Sequence, residues 1–273
     1  MSATVQVTWG LALVIMILGP VALGSWFWAR FRPNPRAFVL GAAVFLIAQL
    51  LVRLPLTGWI TQQLGTSIQQ GLPFFLYMTG MAFSAGLFES VGRWAGYRWL
   101  FPPRLPYDWA HAVAYGIGHG GFESAVFVGG LSALNFVQGI ALTNMTPEQM
   151  QSQFSGEMLS QALQARQAFA GLAWHEPLLA AVERMATVPF HIAMSLLVML
   201  VFTRGQLRWL LYAIILHGLA DLTAVLLNQA YSATPWVVEL GVLAWGAAGL
   251  WYIRRRYSEE QRQVSPLSKD AEA

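Results

Sequence analysis

Seven stretches of the chain are each long and apolar enough to cross a lipid bilayer, and this constrains the fold more than any other feature. A transmembrane helix needs roughly 20 mostly apolar residues. The stretches lie at residues 8–28, 37–59, 72–95, 108–131, 177–202, 207–229 and 235–253. Because backbone polar groups in lipid must be satisfied within the chain, the sequence predicts an all-α, polytopic transmembrane helical bundle of about seven spans.

Arginine residues predict the orientation of this bundle. They follow the first, third, fifth and seventh stretches, at Arg30, Arg32, Arg36, Arg98, Arg104, Arg204, Arg208, Arg254, Arg255 and Arg256. The connections around 60–71 and 230–234 carry no charge. Cytoplasmic loops carry an excess of arginine and lysine, so we expect the N-terminus outside and the C-terminus inside. Arg53, near the predicted outer end of its span, is expected to snorkel toward the interface.

The whole bundle is predicted to be one domain, residues 1–256. Its long outer insertion, 144–176, contains an amphipathic helix that begins after Thr146, either as a packing helix or as a lid over a cavity. Residues 257–273 are polar and mixed in charge, so we expect a disordered cytoplasmic tail.

Composition excludes several classes of function. Only 11% of the residues are charged, against about 25% in soluble globular proteins. The chain has no cysteine, which rules out disulfides, thiolate catalysis and thiolate metal sites. The net charge of +3 comes from arginines near span ends, and we interpret it as topology rather than nucleic-acid binding.

Ionisable residues inside the predicted spans are the strongest sign of function. Each costs at least about 2.5 kcal/mol on insertion scales, so each needs a partner or a role. The four that share a depth, roughly 9–18 Å from the predicted inner ends, are Glu89, His119, His191 and His217. Because they lie on four different spans, we expect them to meet in the inner half of the bilayer.

Spacing within the spans adds three pairs to this set. Residues four apart share a helix face, as is the case for Glu89 with Arg93, His119 with Glu123, and His217 with Asp221. Each pair is also compatible with a purely structural contact between helices. The glycines of YGIGHGG (115–121) indicate either close helix packing or space for a substrate backbone.

The ionisable residues that share a depth, together with their partners four residues away, belong to four short segments. In chain order these are FESVGRW (88–94), YGIGHGGFE (115–123), FHIAMS (190–195) and HGLAD (217–221). As a set they resemble the YhfC family of intramembrane metalloproteases, which is similar to the CAAX-prenyl and ABI membrane protease superfamily. The resemblance covers roughly residues 72–229. It implies a membrane protease in a bacterial inner membrane.

The superfamily pattern is a Glu-Glu-x-x-x-Arg segment, then an aromatic-x-x-x-His, then a His-x-x-x-Asn or Asp. The segment from Tyr115 to His119 fits the second part, and HGLAD (217–221) fits the third. The first part departs from the pattern, because Glu89 is followed by Ser90 and the segment is one residue shorter. The resemblance implies that Glu123 and His191 mark the YhfC branch and compensate for the missing second acid.

Two chemistries for peptide hydrolysis stay open. In one, zinc is held by His119, His191 and His217, with Glu123 or Glu89 as general base. In the other, Glu89 and His119 activate water without a metal, Arg93 orients Glu89, and the pair His217 and Asp221 holds the oxyanion. The shared depth of three histidines favours the metal. The chain has no HExxH stretch, which excludes an ordinary zincin helix.

Together with the resemblance, these residues predict an intramembrane endopeptidase whose site opens toward the cytoplasmic half of the bilayer. Its partners would be the bilayer and a peptide or membrane-protein substrate, with no nucleic acid. One alternative is a proton- or ion-coupled transporter with a His/Glu/Asp relay, although no internal repeat supports it. Another is a degenerate protease that binds membrane partners without cutting them.

Overall fold

A computed structural model describes residues 1–101, 103–230 and 235–269, the side chains of residues 230 and 263–269 excepted. Seven of its helices are long and apolar enough to cross a membrane, and we number them as spans 1 to 7. Their bounds are Ala3–Phe31, Arg36–Ile68, Gly71–Leu100, Trp109–Asn144, Glu176–Arg204, Arg208–Gln229 and Pro235–Arg262. The predicted all-α bundle is confirmed, and no strand occurs in the described ranges. The protein is a multi-pass membrane protein.

Span 5 is the central helix of the bundle. In its most apolar window 78% of the residues are buried, against 39% or less in each other span. The run from Val188 to Val201 is buried almost without interruption, and the helix packs against spans 1, 3, 4, 6 and 7. A helix that is apolar on all sides belongs in the interior, whereas the other spans keep apolar faces exposed at the outside of the bundle.

Glycines allow pairs of spans to cross at very short range. Spans 2 and 4 meet at Gly41 and Gly118, where an added Cβ would collide with the backbone of the opposite helix, at Tyr115 and Phe38 respectively. An added Cβ at Gly86 on span 3 would lie 2.5 Å from the carbonyl oxygen of Ile214 on span 6. Small residues at such crossings let membrane helices approach closely. Close packing is therefore one role of the glycines around His119.

Three spans contain π-helical segments, at Leu46–Arg53 in span 2, Gly96–Leu100 in span 3 and Glu123–Val128 in span 4. A π-helical turn shifts the direction of the side chains that follow it, because its hydrogen bonds join residues five apart instead of four. Two of these segments carry ionisable side chains that face the bundle interior: Arg53 and Glu123.

The two ends of the bundle differ in charge. We call the end that carries Arg30, Arg36, Arg98, Arg204 and Arg254 the arginine-rich end, and the other the arginine-poor end. The connection between spans 2 and 3 lies at the arginine-poor end and carries no charge. Span 6 ends and span 7 begins at that end as well, and residues 231–234 between them lie outside the described ranges. Which end faces the cytoplasm stays a prediction.

Two segments differ from the expectation. The insertion between spans 4 and 5 forms two helices, Pro147–Gln153 and Gly156–Gly171, because the chain turns at Gly156, whose φ of +56° favours glycine. Beyond residue 257, where a disordered tail is expected, the last helix continues to Lys269. Glu260 fastens the first part of this segment to span 4, because its carboxylate accepts a 2.9 Å hydrogen bond from the backbone N–H of Trp109.

The crossing of spans 2 and 4 gives a first test. We expect Gly118→Ala to lower the free energy of unfolding by about 1–3 kcal/mol, because the added methyl group forces the two backbones apart. Thermal unfolding of the detergent-purified protein measures this. Gly130→Ala on the same span is the matched control, since an added Cβ there meets nothing within 4 Å. Equal stability of both variants would contradict the close crossing.

Candidate functional site

Four spans contribute one side chain each to a buried cluster. Glu89 on span 3 is its centre, and its Oε2 lies 2.9 Å from Nε2 of His119 on span 4. The same oxygen lies 3.6 Å from Nδ1 of His191 on span 5 and 3.8 Å from Nε2 of His217 on span 6. Each of these residues is at most 4% exposed. One carboxylate oxygen is thus the common neighbour of three histidines.

Glycines on two spans make this convergence sterically feasible. Gly120, next to His119, packs against His191, whose Cβ would lie 2.9 Å from an added Cβ. Gly86, one turn before Glu89, packs against His217, whose Cβ would lie 3.2 Å away. Any side chain at either glycine would separate the helices that bring the cluster together. The sequence around each polar residue therefore also sets the helix distances that the site requires.

Arg93 provides the positive charge beside the central carboxylate. It is fully buried, and its NH2 group donates to Glu89 Oε2 at 3.2 Å and lies 2.8 Å from Nδ1 of His191. An arginine has only donors, so Nδ1 of His191 must accept, and the proton of this imidazole then lies on Nε2. The predicted contact between Arg93 and Glu89 is present, and Arg93 also fixes the tautomer of His191.

Glu123 continues the chain of contacts on the far side of His191. Its Oε2 lies 2.6 Å from Nε2 of His191, and its Oε1 accepts a 2.9 Å hydrogen bond from NH1 of Arg184. Arg184 also pairs with Glu183 beside it on span 5. The imidazole of His191 is therefore held between Arg93 and Glu123, so that its orientation is set from both sides.

The expected pairing of His119 with Glu123 does not form. The backbone N–H of Glu123 still bonds to the carbonyl oxygen of His119, so the regular spacing of four holds here. The Glu123 carboxylate nevertheless pairs with His191 and Arg184 on span 5, a choice of partner that spacing within one helix cannot predict. The partner of His119 is Glu89 on the neighbouring span.

Asp221 is close to His217 but forms no hydrogen bond with it. Its Oδ2 lies 3.8 Å from Nε2 of His217, and its side chain is 38% exposed. Within the described residues, Nδ1 of His217 is buried without a partner. His217 is thus the histidine of the cluster that the protein holds least tightly by polar contacts.

The donor set of the cluster fits a metal ion. One ligand atom each from Glu89, His119 and His191 lies within 4.8 Å of the other two. Two imidazole nitrogens and one carboxylate oxygen are the ligands of many catalytic zinc sites. These three buried residues can therefore hold a metal ion once the guanidinium of Arg93 no longer occupies Nδ1 of His191. The set differs from the predicted three histidines, because Glu89 is a member and His217 falls outside it.

A cavity of about 310 Å³ adjoins the cluster. The cluster residues lie nine to thirteen residues from the arginine-rich ends of their spans, whereas the rest of the cavity lining lies farther from that end. That lining includes Met78 and Met81 on span 3, Arg184 on span 5 and Val225 on span 6. The cavity thus extends toward the arginine-poor end, which is opposite to the predicted opening of the site.

Sequence reasoning missed three residues that the structure places at this cavity: Gln49, Arg53 and Arg184. Arg184 precedes His191 by seven residues, and this spacing places both on one helix face, so a signal for it was present. No spacing pattern in the sequence indicates that Arg53 and Gln49 line the cavity. The direction of both side chains depends on the π-helical segment of span 2.

Comparison with known proteins agrees with this geometry. The model of the YhfC intramembrane metalloprotease family matches residues 15–242. The chain belongs to this family. The matched range includes all the cluster residues and the whole cavity lining except Trp245.

A curated relative and the solved structures complete the comparison. The uncharacterized membrane protein YhfC of Bacillus subtilis (strain 168) is 28% identical over 243 residues, which cover 88% of this chain and 91% of the relative. No solved structure matches the chain. Membership of the YhfC family therefore rests on sequence.

The contact between Arg184 and Glu123 gives a second test. We expect Arg184→Gln to destabilise the protein by about 3–5 kcal/mol, because Glu123 would become a buried carboxylate without its cationic partner. The double variant with Glu123→Gln should recover much of this loss. Thermal or denaturant unfolding of the single and double variants measures the coupling.

Arg204→Gln is the control for the loss of a cation, since Arg204 is 47% exposed and lies 4.0 Å from its acidic partner Glu259. An exposed pair contributes at most about 1 kcal/mol. If Arg184→Gln and Arg204→Gln lowered the free energy of unfolding by the same amount, the pair of Arg184 with Glu123 would contribute no more stability than an exposed ion pair.

Proposed function

We propose that this protein is an intramembrane endopeptidase that hydrolyses peptide bonds of membrane-associated substrates. The observation that supports this best is that one buried carboxylate, Glu89, is the common neighbour of three histidines. This cluster lies at the end of the cavity that is nearer the arginine-rich end of the bundle. Peptide hydrolysis needs an activated water and a donor for the oxyanion. This cluster contains groups for both tasks, and the name of the family points to the same reaction.

The residues Glu89, His119 and His191 would hold the catalytic metal, which we propose to be zinc. A bound zinc ion would lower the pKa of a coordinated water toward about 7 and polarise the scissile carbonyl. Glu123 lines the cavity and is the nearest carboxylate outside the metal set, so we assign to it the transfer of the proton from water to the leaving amine. His217 would donate to the carbonyl oxygen, with Asp221 nearby to orient the imidazole.

Arg93 supports a metal-free version of the same reaction. Its guanidinium already places a positive charge beside Glu89 and against Nδ1 of His191, where a metal ion would otherwise bind. In that version Glu89 and His119 activate the water, and Arg93 holds Glu89. Both versions place the substrate in the same cavity and use His217 as the oxyanion donor, so they differ in metal content and not in substrate.

The direction of the cavity bears on where substrates enter. The arginine pattern predicts that the arginine-poor end lies outside the cytoplasm, and the cavity extends toward that end. We therefore propose that substrates reach the site from the outer leaflet or the outer surface of the membrane. Cysteine-accessibility labelling is well suited to this chain, because it has no native cysteine.

Metal content gives the third test. Detergent-purified wild-type protein is expected to contain about one zinc per chain by elemental analysis. Glu89→Gln, His119→Ala and His191→Ala should lose the metal, whereas His217→Ala should keep it. Because His217 is assigned to oxyanion stabilisation, we expect its loss to lower cleavage by about 10²–10³-fold, measured as new peptide termini by mass spectrometry.

His175→Ala is the matched control for the histidine variants, since His175 stacks on Trp236 away from the cluster and should keep both metal and activity. Loss of zinc in His217→Ala, with retention in Glu89→Gln, would instead support three histidines as ligands. Cleavage by a wild-type protein that holds no metal after chelator-free purification would support the metal-free version.

A further inference from the structure

Arg53 is a buried cation in the middle of span 2. It lies 17 residues after the start of the span and 15 before its end, and it is 7% exposed. The expected snorkelling is therefore wrong, because the side chain points into the bundle. A charge in this position is costly and marks a functional site when its partner is not part of the protein.

The contacts of Arg53 are all with neutral groups. Its Nε donates to Ser84 Oγ at 2.9 Å and its NH2 donates to the carbonyl oxygen of Met81 at 2.8 Å. Within the described residues it forms no ion pair. Arg93 and Arg184, the other buried arginines of the described ranges, pair with the carboxylates of Glu89 and Glu123 respectively. Arg53 thus differs from them in having its charge uncompensated by direct contact.

Gln49 lies one turn before Arg53 in the same π-helical segment. It is 8% exposed, and its Oε1 is buried without a hydrogen-bond partner among the described residues. Both side chains line the cavity. The pair therefore offers a guanidinium, which matches a carboxylate in a bidentate manner, and an amide oxygen, which accepts from a backbone N–H. Together these groups match the polar atoms of a peptide that carries a carboxylate.

The distance from Arg53 to the cluster suits a peptide in extended conformation. Met81 and Ser84, which Arg53 contacts, precede Glu89 by eight and five residues on span 3. At 1.5 Å per residue this places Arg53 roughly 8–12 Å from Glu89 along the helix axis. An extended chain covers that distance in about three residues. The lining between the two sites is small and apolar, at Ala82, Ala85 and Ala220.

We propose that Arg53 and Gln49 form a carboxylate-binding subsite of the cavity. It would select substrates that carry a C-terminal carboxylate or an acidic side chain about three residues from the scissile bond, with small or apolar residues between them. This inference rests on the proposed function, since it names the substrate class of the same cavity. A lipid phosphate is the poorer match, because the Arg53 side chain is 7% exposed and points into the bundle rather than toward lipid.

Binding of short peptides to the full-length protein in nanodiscs tests the subsite. The probes are Ala-Leu-Val-Ala with a free C-terminus, the same peptide as its C-terminal amide, and Ala-Leu-Val-Glu amide, each with a neutral fluorophore at the N-terminus. The first and third probes carry a carboxylate, and we call them the acidic probes. We expect at least one of them to bind the wild type ten-fold or more tightly than the Ala-Leu-Val-Ala amide. Empty nanodiscs correct for partitioning into lipid.

The comparison of the two acidic probes distinguishes a terminal carboxylate from a side-chain carboxylate. Arg53→Gln should weaken acidic probes to the level of the amide, whereas Arg208→Gln, which removes an exposed arginine at the arginine-rich end, should leave the preference unchanged. Equal binding of all three probes by the wild type, or binding of none, would overturn the subsite.

Thermal stability provides a second measurement that does not depend on binding. If Arg53 is retained for a ligand, Arg53→Met should keep or raise the unfolding temperature, because a buried charge without an ion pair is replaced by an apolar side chain. A fall comparable to that of Arg184→Gln would show that Arg53 has a structural role and would contradict the proposal.

The subsite and the peptidase activity fail in different ways. Selective binding of an acidic probe without cleavage of any peptide would support the subsite and contradict the proposed endopeptidase activity. Cleavage by the wild type without a preference for the acidic probes would support the endopeptidase activity and contradict the subsite.

Discussion

The structure of the site depends on how one carboxylate is stabilised far from water. Glu89 lies in the interior of the bundle, where an isolated charge is strongly unfavourable unless it is paired and hydrogen-bonded. Its Oε2 therefore has Arg93 and His119 within hydrogen-bonding distance and two more imidazoles just beyond. Each of these partners belongs to a particular span or turn. The need to satisfy one oxygen thus fixes the relative positions of spans 3, 4, 5 and 6.

Close helix packing and polar chemistry are consequences of the same residues. Gly86 and Gly120 sit beside Glu89 and His119 and let spans 6 and 5 approach without a side chain between them. Packing in membranes relies on such small residues, because lipid provides no hydrophobic drive between helices. The dense glycine pattern of YGIGHGG therefore serves the crossings, and the cavity lies on another side of the cluster, where alanines and methionines line it.

Sequence alone predicts the spans and the residues that meet, because apolar length and depth are properties of a single helix. The convergence of Glu89 with three histidines follows from equal depth on four helices. Contacts that depend on a neighbouring span or on a change of helical register could not be predicted in this way. Glu123 pairs with His191 and Arg184 of span 5, and Arg53, at the end of the π-helical segment of span 2, points into the bundle. The side on which the cavity opens also required the packing of six spans, which no local pattern encodes.

Charge balance connects the cluster to the rest of the cavity. Four carboxylates of the site, from Glu89, Glu123, Glu183 and Asp221, face three arginines, Arg53, Arg93 and Arg184. With neutral histidines the ionised set has a formal charge of −1. A divalent cation changes this to +1, and a substrate carboxylate at Arg53 then restores neutrality. Because charges interact strongly in a low-dielectric interior, metal and anionic substrate would each favour the binding of the other.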